Sequence, residues 1–170
     1  MAKKKQKSVL LALAAAAVVV VFAVAALVYF NAPKTPSLKI YFIKDGELSY
    51  VGRPIDKGQD LIAYAAFELL RGPSEKERSE GYVSEIPQNA QIISIKKQKE
   101  VLRVKFSQAL QKYGGGSARV QGLVAQIVYT FTEIPGIEKV QILIVGKKTA
   151  VLGGEGLVID KPLSREDAKF

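Results

Sequence analysis

The chain of 170 residues is 48% apolar and 24% charged, a composition that fits one globular domain with additional segments. It contains neither cysteine nor histidine, which excludes disulfides, thiolate nucleophiles and lipid-modified cysteines, and with them most hydrolase triads and nearly all zinc sites. The net charge is +9, but four of the 25 basic residues precede the first apolar segment and no groove-reading motif follows, so no nucleic-acid partner is predicted.

The first element is a predicted transmembrane helix. Residues 9–30 are 22 consecutive residues without a charge. As an α-helix they would extend about 33 Å, enough to cross a bilayer core. The basic tail of residues 1–8 carries four lysines, which by the positive-inside rule predict a cytoplasmic N-terminus and an extracytoplasmic C-terminal domain.

A cleaved signal peptide is the alternative, because Ala23-Val24-Ala25 has the A-x-A form of a cleavage site. Cleavage there would leave apolar residues 27–30 at the new N-terminus, with no polar region before the cut. An uncleaved signal-anchor helix is therefore favoured.

A soluble domain is predicted over residues 38–165, behind a stiff linker of residues 31–37 that contains two prolines. The domain opens with a hairpin, because the β-forming residues 39–43 and 48–51 flank the strong turn Asp45-Gly46.

The first of two predicted helices covers residues 61–70 and has a wide apolar stripe. Asp60 is its expected N-cap, and Gly72-Pro73 is a stop signal. The segment 74–80, which is mostly charged, is predicted to be a short exposed helical turn.

The second predicted helix starts at Ser117, its expected N-cap, and ends before Pro135-Gly136. Its apolar residues recur at intervals of three and four, which indicates one buried face made of Val120, Leu123, Val124, Ile127, Val128 and Phe131. Gln126 is predicted to lie outside that face.

Further strands are predicted at residues 92–95, 101–106 and 140–145. In the second of these, Leu102, Val104 and Phe106 alternate with Arg103 and Lys105, so one side is expected to be buried and the other exposed. A short apolar piece at residues 157–159 and a polar tail at 166–170 complete the chain. The predicted fold class is α+β, with two helices packed on a mixed, largely antiparallel sheet.

Several patterns have some features of functional sites. Gly114-Gly115-Gly116-Ser117 opens a helix and so resembles a phosphate cradle, but it lacks the lysine of a Walker loop and is better explained as a flexible loop. Glu75, Glu77 and Glu80 are expected to be solvated rather than paired for acid/base chemistry. Half-buried core positions account better than a binding groove for Tyr41, Tyr64, Tyr82 and Tyr129. No catalytic, cofactor-binding or metal-binding residue is predicted, and no enzyme activity.

Ordered motifs cover nearly all of residues 38–165: Ile40-Tyr41-Phe42, Leu69-Leu70-Arg71-Gly72-Pro73, Ser84-Glu85-Ile86-Pro87, Val104-Lys105-Phe106-Ser107, residues 127–137 with residues 140–147, and Pro162-Leu163-Ser164-Arg165. With these motifs the domain resembles the GerMN domain of bacterial sporulation and spore germination. The resemblance implies a fold similar to small ring-building modules and a structural or assembly role, with no defined catalytic residues.

The leading hypothesis is therefore a single-pass protein of the bacterial cytoplasmic membrane that displays an interaction or scaffold module in the cell envelope, linked to sporulation or germination. Its expected partners are another envelope protein or a second copy of itself. The alternative is a binding module for peptidoglycan or another anionic wall polymer.

Overall fold

The computed structural model describes residues 18–24, 36–111, 116–152 and 157–170. The chain divides into two units, Met1–Thr35 and Pro36–Phe170. In the first unit, residues 18–24 are helical and exposed. Among the helices of these described ranges, none is both long and apolar enough to cross a membrane. The remainder of the predicted span 9–30 lies outside the described residues, as does most of the linker.

The second unit opens with the predicted hairpin. Strands β1 (Ser37–Lys44) and β2 (Glu47–Pro54) pair antiparallel along their whole length. The turn between them places Asp45 at φ 52° and Gly46 at φ 81°, the positive values that a tight two-residue hairpin turn requires. The two-residue strand β3 (Tyr82–Val83), which was not predicted, adds to the far end of β1.

Helix α1 (Leu61–Arg71) has the predicted caps. The Asp60 carboxylate accepts hydrogen bonds from the N–H groups of Ile62 and Ala63 at 3.0 and 3.1 Å. Gly72 ends the helix at φ 74°, a conformation that favours glycine. The short helix α2 (Glu75–Ser79) then begins with a capping box between Ser74 and Glu77.

A second sheet is formed by β4 (Ile92–Gln98), β5 (Val101–Phe106) and β6 (Lys139–Ile144). Strands β4 and β5 are antiparallel, whereas β5 and β6 are parallel. The parallel pair needs a crossover, which helix α3 (Gly116–Phe131) supplies.

A hairpin of β7 (Ala150–Leu152) and β8 (Leu157–Ile159) follows β6. The α+β class is thus confirmed, but the prediction of one mixed sheet is wrong. The described strands form two three-stranded sheets, one of them mixed, and one two-stranded hairpin. Sequence alternation identifies strands, whereas their division into sheets depends on long-range pairing.

Helix α3 lies at the centre of the unit and packs against β1, β2, β6 and helix α1. All the residues of its predicted apolar face are buried: Val120, Leu123, Val124, Ile127, Val128 and Phe131. The helix begins at Gly116, so Ser117 lies inside it rather than at the predicted N-cap.

The prediction that Gln126 lies outside the buried face is wrong, because its side chain is 0% exposed. Its amide oxygen accepts a hydrogen bond from the Glu85 N–H at 2.9 Å, and its amide nitrogen donates to Ser84 Oγ at 2.9 Å. The loop before β4 therefore covers the side of α3 that the apolar pattern predicts to be exposed.

Helix α3 also covers the edge of β1 that β3 leaves unpaired. Thr130 is 0% exposed, and its hydroxyl oxygen accepts a hydrogen bond from the Tyr41 N–H at 3.0 Å. A helix side chain therefore satisfies a strand N–H group that no neighbouring strand reaches.

The C-terminal segment is attached to this core. Leu163 forms an antiparallel bridge with Val140 through two backbone hydrogen bonds of 2.8 and 2.9 Å. Residues 166–170, predicted as a polar tail, include the buried Ala168 and also Phe170, whose ring lies against Gly122 of α3.

We expect Thr130→Val to destabilise the unit by about 1–3 kcal/mol, because the buried Tyr41 N–H loses its acceptor while the side-chain shape is kept. Amide hydrogen exchange at Tyr41 should accelerate in this variant. Thr130→Ser is the control, since it retains the hydroxyl and should keep that amide protected. Equal protection in both variants would contradict the edge-covering role of Thr130.

Candidate interaction surface

The second sheet has one face in the core and one toward solvent. Val104 on β5 and its partner Ile142 on β6 are fully buried, so strand alternation turns the residues beside them outward. The register places nine residues on the outer face, called here the basic sheet face: Ser94, Lys96 and Gln98 of β4, Val101, Arg103 and Lys105 of β5, and Lys139, Gln141 and Leu143 of β6.

Four of these residues are cations and none is an acid: Lys96, Arg103, Lys105 and Lys139. No carboxylate within the described residues lies within 4.0 Å of their charged nitrogens. Lys96, Arg103 and Lys139 are exposed, and Lys105 is half-buried. The predicted outward orientation of Arg103 and Lys105 is confirmed.

The side chain of Arg103 is oriented by its neighbour on β6. Arg103 Nε donates a hydrogen bond to Gln141 Oε1 at 3.0 Å. Because this bond uses the nitrogen nearest the side-chain stem, the two terminal nitrogens of the guanidinium remain available for an oxyanion.

A second polar cluster is centred on Arg165, in the C-terminal segment. Glu133, just after α3, accepts hydrogen bonds from Arg165 Nη2 at 2.5 Å and from the Tyr41 hydroxyl at 2.9 Å. Arg165 Nε also donates to Thr132 Oγ1 at 2.8 Å, and its guanidinium lies 5.0 Å from the Tyr129 ring centre.

These contacts set the charge states in the cluster. Burial, with the hydrogen bond to Glu133, raises the pKa of Tyr41 to about 12, so its hydroxyl remains a donor. Burial opposes ionisation of Glu133, but hydrogen bonds from Arg165 and Tyr41 outweigh it and hold the pKa of Glu133 below its usual value. The ionised Glu133 therefore fastens the C-terminal segment to α3 and β1.

An open cleft of about 640 Å³ lies beside this cluster. It is lined by Thr132, Ile137, Glu138, Lys139, Ser164, Arg165 and Glu166. Its charges are mixed, and Arg165 is already committed to Glu133, so the cleft lacks a set of groups directed at one ligand.

A third cluster links strand β2 to helices α1 and α2. Arg53 is 8% exposed and Glu68 is 3% exposed, and Arg53 Nε donates to Glu68 Oε2 at 2.7 Å. The two terminal nitrogens of Arg53 bind both carboxylate oxygens of Glu77, one of them at 2.7 Å. The expectation that Glu77 is solvated is therefore wrong, whereas Glu75 and Glu80 are exposed as expected.

The ionic cluster around Arg53 is structural. Hydrogen bonds from Arg53 hold the pKa of Glu77 at about 2, against a usual value of 4.5. Its groups are occupied by one another, so none is placed to transfer a proton to a substrate. Among the described residues, no group of acids is arranged to hold a metal ion.

The other sequence-level candidates separate in space. Tyr41 and Tyr129 meet, with ring centres 5.4 Å apart. Tyr64 instead donates to the Pro54 carbonyl, and Tyr82 lies under Lys44. Residues 114 and 115 of the glycine-rich loop, and the glycines at 153–156, lie outside the described residues.

Sequence reasoning missed the partners Arg53 and Arg165, which sit far along the chain from the acids that they bind. No local pattern singled out Arg53, which lies beyond the strand predicted at residues 48–51. For Arg165 the signal was its place in the closing Pro-Leu-Ser-Arg motif.

Residues 28–150 match the Germane family, described as "Sporulation and spore germination". No curated protein sequence matches the chain. The similar solved structures include the following three. The first GerMN domain of the sporulation protein GerM from Bacillus subtilis has a TM-score of 0.62 and 25% identity, over 78% of this chain and 100% of that domain.

A Clostridium perfringens protein described as a lipoprotein has a TM-score of 0.56 and 25% identity, over 78% of this chain and 87% of that one. The tandem GerMN domains of Bacillus subtilis GerM give a TM-score of 0.56 and 23% identity, which shows the fold alone. That match covers 76% of this chain and 45% of the tandem protein, so this chain spans less than half of it.

We expect Glu77→Gln to destabilise the unit by about 1–3 kcal/mol at neutral pH, because a bond between two charged groups becomes a bond to a neutral amide. The pKa of Glu77 is lowered on folding, so its contribution is complete above its unfolded value of 4.5 and is lost as pH falls toward about 2. The difference between wild type and variant, measured by denaturant unfolding, should therefore shrink over that interval.

Glu75→Gln is the matched control, in the same turn of α2 but exposed. It should change stability by less than about 0.5 kcal/mol at every pH. A Glu77→Gln deficit that did not depend on pH would contradict the assigned ionic role.

Proposed function

The chain belongs to the Germane family of sporulation and spore germination domains, and from this premise we propose that it is a membrane-anchored interaction module of the bacterial cell envelope. Its GerMN-like domain docks to another envelope protein or to a second copy of the chain, in a scaffold used during spore formation or germination. The observation that carries the proposal is the family match over residues 28–150.

The distribution of polar groups supports docking rather than catalysis. Arg53, Glu68 and Glu77 bind one another, as do Arg165, Glu133 and Tyr41. These clusters hold elements of the fold in place. The basic sheet face, in contrast, carries cations that form no ion pair among the described residues, so they are available to a molecule outside the domain.

Membrane anchoring is part of the proposal. It rests on the uncharged residues 9–30 and on the lysines that precede them. Residues 18–24 are helical with exposed apolar side chains, which is compatible with a helix that meets lipid. The same lysines favour a cytoplasmic N-terminus and an extracytoplasmic domain.

Binding of an anionic wall polymer is the second candidate function. The observation that favours it is the set of four cations without an acid on the basic sheet face. The cross-linking experiment below tests protein docking, and the polyphosphate experiment of the next subsection tests polymer binding.

The proposed topology predicts that protease added to intact protoplasts degrades residues 36–170. The outward domain is reachable, while a cytoplasmic marker protein in the same cells stays intact. Immunodetection of the C-terminus measures the loss. A domain that remained protected until the cells were lysed would contradict an extracytoplasmic position.

Protein docking predicts that photo-reactive residues at exposed positions trap a neighbour in growing or sporulating cells. Tyr50 on β2 and Phe67 on α1 are exposed and lie on different elements, and Phe42 of β1 is fully buried and serves as the control. An envelope protein or a second copy should be trapped from at least one exposed position and not from Phe42. Absence of any protein adduct would contradict protein docking.

A further inference from the structure

We propose that the basic sheet face binds a linear polyanion with closely repeated phosphate groups. This inference rests on the second candidate function, polymer binding, and assigns it a site and a ligand chemistry. It stands or falls independently of protein docking at other surfaces.

The geometry of the sheet sets the spacing of the charges. Lys96 lies directly opposite Arg103, and Lys105 is two residues further along the same strand as Arg103. Adjacent strands are about 4.8 Å apart, and outward residues of one strand recur about every 6.7 Å. Lys139 is diagonal to Arg103 on the third strand. The rigid backbone thus holds a two-dimensional array of cations for successive anions of one chain.

These cations are not needed to neutralise the fold. Arg103 makes its hydrogen bond to the neutral Gln141, which orients the guanidinium without cancelling its charge. The nearest acids along the chain, Glu100 and Glu138, precede the first residues of β5 and β6. Hydrogen bonds from Ser164 lower the pKa of Asp167, with smaller contributions from the charges of Lys161 and then Lys139.

The residue types favour a polyanion over a protein surface. Protein interfaces are enriched in aromatic side chains and depleted in lysine. The basic sheet face has no aromatic residue, and three of its four cations are lysines. Surface lysines bind a polyanion mainly by releasing its counterions. The guanidinium of Arg103 can in addition bind two oxygens of one phosphate group.

The test uses the full chain in non-ionic detergent and long-chain inorganic polyphosphate as the probe. Affinity should fall with added salt, with a log–log slope of roughly −3 for four neutralised phosphates. Orthophosphate at the same phosphate concentration should not compete, because it contacts the array at one point only.

Arg103→Glu with Lys105→Glu should weaken polyphosphate binding at least about tenfold and flatten the salt slope. Both side chains face outward, so the thermal unfolding midpoint should change little. Lys57→Glu with Lys76→Glu is the matched control. It makes the same change in net charge at exposed residues of a loop and of α2, and should keep the affinity within about twofold.

An equal loss of affinity in the control pair would mean that only net charge matters, and would overturn the assignment of the site. Absence of polyphosphate binding would overturn the inference and leave protein docking untouched. Polyglutamate of matched length binding at least as tightly would make an acidic protein segment the better ligand. Tighter binding to mixed micelles that contain phosphatidylglycerol would make the membrane surface the ligand. Either result would overturn the inference.

Discussion

The structure depends on the burial of one helix on nearly all sides. Helix α3 links the parallel strands β5 and β6, yet it also packs on β1 and β2 of the other sheet. From Gly122 onward nearly every residue of the helix is buried, so this part cannot keep a solvated polar stripe. Its buried polar residues therefore need partners inside the domain. Gln126 accepts a hydrogen bond from a backbone N–H of a loop, and Thr130 accepts one from a backbone N–H of a strand.

The same arrangement determines which surface is left for a partner. With α3 and the inner faces of both sheets in one core, the second sheet has its other side turned to solvent. The polar cluster around Arg53 attaches helices α1 and α2 to this core, and the cluster around Arg165 attaches the C-terminal segment. The charges of these clusters are paired, whereas the cations of the basic sheet face form no ion pair with a described residue, and this difference separates the structural ions from the candidate interaction surface.

The family match and the similar GerMN structures establish the family and the fold of the domain. One fold can present different surfaces in different proteins, so the function of a domain depends on its own surface groups. The charges on the outer face of the second sheet belong to positions that the core does not constrain. They are therefore suited to carry what is specific to this chain.

The sequence by itself determined the local elements, because hairpin turns, helix caps and apolar periodicity act over a few residues. It correctly gave the Asp45-Gly46 turn, the Asp60 cap, the buried face of α3 and the outward side of β5. Only the tertiary structure decided the division into two sheets, the burial of Gln126 and the pairing of Glu77 with Arg53. These depend on contacts between distant segments, whose energies come from packing and desolvation rather than from local pattern.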